Sequence, residues 1–167
     1  MISNIIYFFH GLLVAILQLL PDIAWANRIR GFFFGILMKK TGKNLQVSKS
    51  VNILAIRNLS VGDNVFIGYG VWINAYGGLD IGSEVMIGPY CTISTANHTK
   101  DPNGSYRWGQ HSLCKVTLEK GCWLGASVNV LPGATVGSNV VVGAGSVIKN
   151  HLIENSVYCG LLATKKR

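Results

Sequence analysis

From Leu118 onward the chain repeats in sixes: Leu118, Leu124, Val130, Val136, Val142 and Ile148 stand six residues apart without a slip. Glycine follows in Leu124-Gly125, Val136-Gly137 and Val142-Gly143, and the fifth slot is small or β-branched in Cys122, Val128, Ala134, Val140 and Ser146. The same grammar runs through Val61-Gly62, Ile67-Gly68 and Ile73, pauses for two extra residues, and resumes at Ile81-Gly82, Ile87-Gly88 and Ile93, with Val47 and Ile53 opening the series. A hexad of this kind specifies a solenoid. Each repeat makes one flat side of a triangular coil, and stacked coils bury a continuous aliphatic column. A sandwich or a doubly wound sheet needs no constant period of six. Fourteen repeats, three to a coil, predict between four and five coils over residues 45–151. In this reading the glycine turns the corner where φ is positive, and the small fifth residue avoids overfilling a narrow prism.

The flanks are of a different kind. The net charge of +8 is uneven: residues 1–57 hold seven Lys/Arg against Asp22 alone, whereas residues 58–167 hold eight against six acids. Arg28, Arg30, Lys39, Lys40, Lys43 and Lys49 follow a stretch, Met1 to Pro21, with no charged side chain, and a second apolar run covers Phe32 to Met38. Residues 1–44 therefore read as a helical, apolar and basic segment with three uses open. It docks on the cytoplasmic face of a membrane, its cations meeting anionic headgroups; it caps the open first coil, whose strand edges would otherwise invite aggregation; or it is a cleavable leader ending near Ala24-Trp25-Ala26, which lacks a basic start. The apolar stretch is borderline in length for a membrane span. Residues 152–167 form a tail. Cations interleaved with apolar residues, instead of lining a polar groove, argue against nucleic acid as a partner. Cys91, Cys114, Cys122 and Cys159 contain no C-x-x-C pair and read as buried hydrophobes in a reducing compartment.

The solenoid pattern breaks once at length, between Ile93 and Val116, where a polar and aromatic loop over about 95–115 carries His98, Tyr106, Trp108 and His111. Long loops ejected from a rigid scaffold are where chemistry is placed. An imidazole titrates near working pH and suits general-base chemistry, and His98 stands where this loop leaves the coil. His98 and His111 lack a third partner at zinc-site spacing, so no metal is expected.

These residues carry a resemblance. The repeats over roughly 40–160, the segment Ile93-Ser94-Thr95-Ala96-Asn97-His98 and the pair Cys122-Trp123-Leu124-Gly125-Ala126 and Val142-Gly143-Ala144-Gly145-Ser146-Val147 resemble the hexapeptide-repeat acyltransferases. The resemblance is to the branch of sugar and xenobiotic O-acetyltransferases that includes galactoside, maltose and colanic-acid enzymes. It implies an all-β, left-handed parallel β-helix and acetyl-CoA as acyl donor. It also implies direct acetyl transfer to a sugar hydroxyl with His98 as base, Asn74 orienting the acceptor, and amides near Gly125 and Ala126 facing the thioester oxygen. Trp123, Ala126 and Ala144 would line the coenzyme groove, with Lys149, Lys165 and Lys166 toward its nucleotide. Tyr76, Tyr106, Trp108 and His111 would meet the acceptor. A homotrimer with the site shared between subunits is implied as well. The chain departs from the family where the usual Gly-x-Pro-Ala reads Gly160-Leu161-Leu162-Ala163. The acceptor favoured by the basic, apolar N-terminus is a surface-polysaccharide precursor or lipid-linked glycan. A soluble oligosaccharide or antibiotic acceptor, and a non-catalytic trimeric scaffold, are the alternatives. Asp101 and Asp80 are candidates to orient His98.

Overall fold

A computed structural model describes residues 2–162, 164 and 165, with side chains from Phe9 onward except that of His10. Its body is a parallel β-solenoid of about six turns, in the form of a left-handed β-helix. The first face stacks Lys40–Thr41, Leu59–Val61, Leu79–Ile81, Val116–Leu118, Thr135–Val136 and His151–Leu152. The second stacks Gln46–Val47, Phe66–Ile67, Met86–Ile87, Trp123–Leu124, Val141–Val142 and Val157–Cys159, and Thr164–Lys165 closes it antiparallel. The third stacks Asn52–Leu54, Trp72–Asn74, Thr92–Ser94, Asn129–Val130 and Val147–Ile148. The count exceeds the four to five coils read from the hexads. Lys40–Thr41 pairs with Ser60 and Val61, and Val157–Cys159 with Val141 and Val142, without keeping the aliphatic beat. Backbone pairing at a solenoid's ends does not require the inward residue that the pattern tracks.

The hexad residues fill the column as expected: Val47, Ile67, Ile73, Ile87, Ile93, Leu118, Leu124, Val136 and Ile148 are all fully buried. The fifth slot joins them through Val65, Cys91, Cys122, Val128, Ala134 and Val140. Burial raises the Cys91 thiol to about 11 and that of Cys122 to about 12, because desolvation penalises the thiolate. The four cysteines are free, although Cys114 is exposed.

The glycines act differently from the expectation. Positive φ falls two residues after the repeat glycine, at Asn64, Gly70, Glu84, Tyr90, Ser127, Asn139 and Gly145. The repeat glycines are needed because coils approach too closely for a side chain. A Cβ on Gly125 would lie 2.7 Å from the Ala144 nitrogen, and one on Gly82 2.7 Å from the Lys120 nitrogen. Much of the left-handed work falls to Asn, which tolerates αL. On the edge between the first and second faces its side chains form ladders, Asn44 Nδ2 donating to Asn64 Oδ1 at 2.9 Å and Asn139 Nδ2 to Asn155 Oδ1 at 3.0 Å.

Two helices, α1 (Ile2–Leu17) and α2 (Ala24–Gly35), precede the coils. α2 buries Ala26, Asn27, Arg30, Gly31 and Phe34, and Phe34 and Met38 join the solenoid core. The fit is tight enough that a Cβ on Gly31 would overlap the Leu45 carbonyl oxygen, at 2.0 Å. Arg30, read from sequence as a headgroup contact, is instead fully buried. Its Nε donates to the Val47 carbonyl at 2.9 Å and its Nη1 to those of Leu17 and Leu20 at 3.2 and 3.3 Å. Its Nη2 donates to Pro21 O, to Asn27 Oδ1, and to Asp22 Oδ1 at 3.1 Å. A planar five-donor guanidinium thus satisfies carbonyls at the end of α1 and ties the helical hairpin to the first coil. Arg28 Nε likewise caps the asparagine ladder at Asn44 Oδ1, 2.8 Å away. Among the described residues no helix is long and apolar enough to cross a membrane. Away from the coil, α1 exposes Phe9, Leu12 and Ile16, and α2 exposes Trp25, Ile29 and Phe32.

Candidate active site

Insertions accumulate on one edge of the prism, where the chain passes from the third face to the first. The first coil places there the 3-10 turn Ile56–Asn58, preceded by Ala55 in the left-handed region, and the second coil Ala75 to Gly78. The third coil ejects the loop, whose base is an antiparallel hairpin of Ala96–His98 with His111–Leu113. The two-residue pause noted after Ile73 therefore also occurs after Ile53, and both lie below the long loop. This is the loop edge. The opposite, smooth edge, between the second and third faces, holds the close-packed turns at Gly88, Gly125 and Gly143.

The hairpin's launch is built by residues that the repeat pattern did not single out. Thr95 is fully buried; its Oγ1 donates to the Asn74 carbonyl at 2.9 Å and accepts the Gly77 amide at 2.7 Å. Its carbonyl accepts the Cys114 amide at 2.9 Å, so both legs of the loop are pinned to one residue. Gly77 has no room for a side chain, since a Cβ would sit 2.4 Å from the Thr95 oxygen. Gly109 closes the loop at a similar approach, with Thr99 O 1.7 Å from a Cβ. Lys115 pairs with Asp80 at 2.5 Å across the base and, by that bond first, holds the Asp80 carboxyl below its ordinary range. Asp101 accepts the Ser105 amide at 2.7 Å. Both carboxylates considered as partners for His98 are thus engaged elsewhere.

His98 and His111 are register partners in the hairpin, with ring centroids 4.5 Å apart and planes tilted by 55°. Both are exposed. A cleft of about 560 Å³ is lined by His98, Tyr106, Arg107 and Trp108. Lys100 lies over the Tyr106 ring at 5.4 Å and Arg107 over Trp108 at 5.0 Å, cation–π contacts that stiffen the loop around the imidazole. Arg107 had no sequence signal beyond its place in the loop. Among the described residues no group of three His, Cys, Asp or Glu side chains is placed to hold a metal ion.

Asn74 is half-buried one coil below the loop, beside Ser94. Its Oδ1 accepts the Tyr76 amide at 3.1 Å, which turns the exposed Tyr76 outward on the loop edge. Trp123, Gly125, Ala126 and Ala144 come together elsewhere. Trp123 stands exposed on the second face between Met86 and Val141, and the other three occupy the smooth edge. The Gly125 amide is spent on the Val142 carbonyl at 2.8 Å, whereas the Ala126 carbonyl accepts from Gly145 at 2.8 Å. The Ala126 and Ala144 amides have no partner among the described residues, which leaves two N–H groups on adjacent coils beneath small side chains. Lys149 is exposed at the loop edge of the next coil, beside His151 and Leu162, and Lys165 is exposed next to Tyr158. Lys166 lies outside the described residues.

In a single copy one whole face therefore separates His98 from the Ala126–Ala144 amides. At about 3.3 Å per residue a six-residue side spans up to about 20 Å, too far for one bond-making event.

The left-handed β-helix is the fold of hexapeptide-repeat transferases, and similarity to known proteins places this chain among them. Residues 58–93 match the hexapeptide repeat of succinyl-transferase, and residues 115–150 the bacterial transferase hexapeptide of six repeats. A putative colanic acid biosynthesis acetyltransferase of Escherichia coli (strain K12) is 31% identical over 141 residues, spanning 82% of this chain and 75% of that one. A galactoside O-acetyltransferase of Lactococcus lactis subsp. lactis (strain IL1403) is 38% identical over 112 residues, 64% of this chain; the match spans about half of that relative, 54% of its length. The crystal structure of a maltose O-acetyltransferase from Clostridium difficile 630 superposes with a TM-score of 0.81 at 27% identity, covering 95% of this chain and 83% of that one. A Vibrio cholerae hexapeptide-repeat acetyltransferase in complex with acetyl coenzyme A, 23% identical, shares the fold with a TM-score of 0.78 over 92% of this chain and 84% of that one. The chain belongs to the hexapeptide-repeat acetyltransferase family.

Proposed function

We propose that this chain transfers an acetyl group from acetyl-CoA to a sugar hydroxyl of a lipid-linked glycan or surface-polysaccharide precursor. The observation that carries the reading is His98, held on a short hairpin at the mouth of a cleft with Tyr106, Arg107 and Trp108. The His98 imidazole accepts the proton of the acceptor hydroxyl as its oxygen bonds to the thioester carbonyl carbon. The carbon–sulfur bond then breaks and the proton passes from His98 to the thiolate, which leaves the enzyme unmodified. The Ala126 amide faces the thioester oxygen, a role that the Gly125 amide, already bonded, does not share. Ala126 and Ala144 hold the pantetheine arm through their amides, Trp123 covers the thiol end, and Lys149 and Lys165 lie toward the phosphates. Asn74 works at one remove, by setting Tyr76, while Tyr76, Tyr106, Trp108 and His111 offer faces and edges to a sugar.

The face between His98 and the Ala126 edge is the reason for a homotrimer in this reading: the loop edge of one copy meets the smooth edge of the next, and neither alone is complete. Such a heterologous contact closes as a three-fold ring. The exposed apolar rows of α1 and α2, with Lys40, Lys43 and Lys49 nearby, support a reading in which the assembly docks on the cytoplasmic membrane surface, with the helices lying on the bilayer. The relatives named for galactoside and colanic acid biosynthesis support a glycan acceptor. The test is thiol release from acetyl-CoA over a panel of free sugars and lipid-linked glycans, with His98→Ala alongside. Acceptor-dependent release that falls by about 10²-fold or more in the variant sustains the reading. Turnover unchanged in His98→Ala, or no acetyl-CoA binding at all, overturns it.

A further inference from the structure

The helical cap leaves a groove lined by none of the groups that move the acetyl or the proton. About 710 Å³ in volume, it runs between α1, at Gly11 and Val14, and the first strand of the third face, at Ile53 and Leu54, over Phe34 and Leu37. It opens on the loop edge at Arg57, Asn58 and Tyr76. There it meets a second cleft of about 460 Å³, lined by the same three residues and by Lys39, Gly77 and Gly78. One continuous path thus passes from an apolar channel to two cations, then to an exposed tyrosine, and on to Gly77, whose amide is bonded to the residue that launches the hairpin. The apolar rows on the outer side of α1 are a separate surface, since Phe9, Leu12 and Ile16 point away from this groove.

We propose that the groove takes the hydrocarbon chain of a lipid-linked acceptor, its phosphate between Lys39 and Arg57 and its sugar directed along the loop edge toward His98. The proposal rests on the acetyltransferase reading given above and specifies how that acceptor is held. Charge and shape argue together. A single chain fits a groove walled by one helix and one strand, and a phosphate is the complement of two cations at the end of an apolar channel. Asp80 also faces this region and acts on Lys39 through its field, but it carries its own partner in Lys115. An acceptor anchored in this way gains affinity from parts that do not react, which positions the hydroxyl at the base.

Gly11 offers a clean test, because a Cβ there would meet nothing within 4 Å. Equilibrium dialysis of the full chain with labelled farnesyl phosphate, below its micellar concentration, reads binding without turnover. Farnesol and methyl phosphate are the two half-ligands. We expect farnesyl phosphate to bind about 10-fold or more tighter than either half, from burial of the chain together with a charge-assisted phosphate contact. Gly11→Trp should cost about 10-fold or more, by filling the volume of several methylenes. Lys39→Gln should remove most of the advantage over farnesol while leaving farnesol binding intact. Gly11→Ala, with an unchanged melting temperature, controls for damage to the helix. No saturable binding, or binding indifferent to Gly11→Trp, overturns the proposal. Complete competition by phosphatidylglycerol vesicles would assign the groove to membrane lipid, and a change of solution mass in Gly11→Trp would assign it to a second copy; either overturns it too. Because the readout is binding, a failed groove with intact His98-dependent thiol release refutes only this proposal. Binding without any sugar-dependent thiol release refutes the acetyltransferase reading instead.

Discussion

Two edges of the same prism are built on opposite rules. On the smooth edge every coil turns through the same tight step, and Gly88, Gly125 and Gly143 stack so closely that no side chain fits. On the loop edge the coils disagree: a 3-10 turn, then a glycine pair, then a long loop with its own hairpin. Regularity on one edge leaves backbone amides of adjacent coils, at Ala126 and Ala144, in line for an extended ligand. Irregularity on the other sets side chains that differ from coil to coil around one cleft. A scaffold stiff enough to hold the first tolerates the second, because backbone pairing continues on the faces between them.

The largest effect expected on breaking this contrast is at the loop edge. His98→Ala should lower acceptor-dependent thiol release by about 10²- to 10⁴-fold, the scale of a lost general base. Because the ring is exposed, the variant should melt with the parent, as differential scanning calorimetry will show. Next comes the cap. Arg30→Ala removes a buried guanidinium from four carbonyls, those of Leu17, Leu20, Pro21 and Val47, and from Asn27 Oδ1, so chemical denaturation should report a loss of about 3–5 kcal/mol. Arg30→Lys should not rescue it, since a point charge cannot reach all these acceptors. Gly125→Val on the smooth edge should cost about 1–3 kcal/mol through forced separation of coils; an unchanged urea midpoint would refute the close-approach account. Ser146 sits fully buried in a fifth slot with its hydroxyl unpartnered among the described residues. Ser146→Ala should therefore raise stability, by about 1 kcal/mol. The smallest effect belongs to the brace under the loop. Asp80 is depressed by Lys115, so its contribution is present above its unfolded pKa and is lost as pH falls through the lower folded value. Both partners are about half exposed, at 55% and 43%, so Asp80→Asn should cost under about 1 kcal/mol at neutral pH. That difference should vanish in acid urea titrations.

The legibility of the molecule follows the same divide. The core was readable because each hexad residue performs one task, pointing into a column of constant width, so its chemistry repeats at a constant interval. From Val61 to Ile148 the hexad residues are buried where the beat puts them, whereas Ile53, under the helical cap, is only partly buried. The glycines were located correctly and explained wrongly, since a period marks where a small residue is needed without saying whether φ or a neighbouring coil demands it. The end coils were missed where pairing continued after the aliphatic beat had stopped.

His98 stood out in sequence as the histidine at the launch of the long loop, and the pairing of His98 with His111 follows from a hairpin that no period announces. Thr95 was visible only as part of the segment that leads to His98, and Gly77 and Gly109 had no signal at all. The role of all three lies in contacts with carbonyls 21, 18 and 10 residues away along the chain. Arg30 makes the same point most sharply. Among basic neighbours it reads as one more surface cation, and only the return of α1 brings the carbonyls that bury it.

By itself the sequence determined the solenoid, its aliphatic interior, the place of its one long loop and the apolar, basic character of its beginning. These are properties of short intervals, repeated. The tertiary structure alone decided which edge collects the insertions, which amides remain unspent, how the helical hairpin is pinned and where a groove is left beneath it. Each of these depends on groups brought together from distant coils, and contact across the stack leaves no period in the chain.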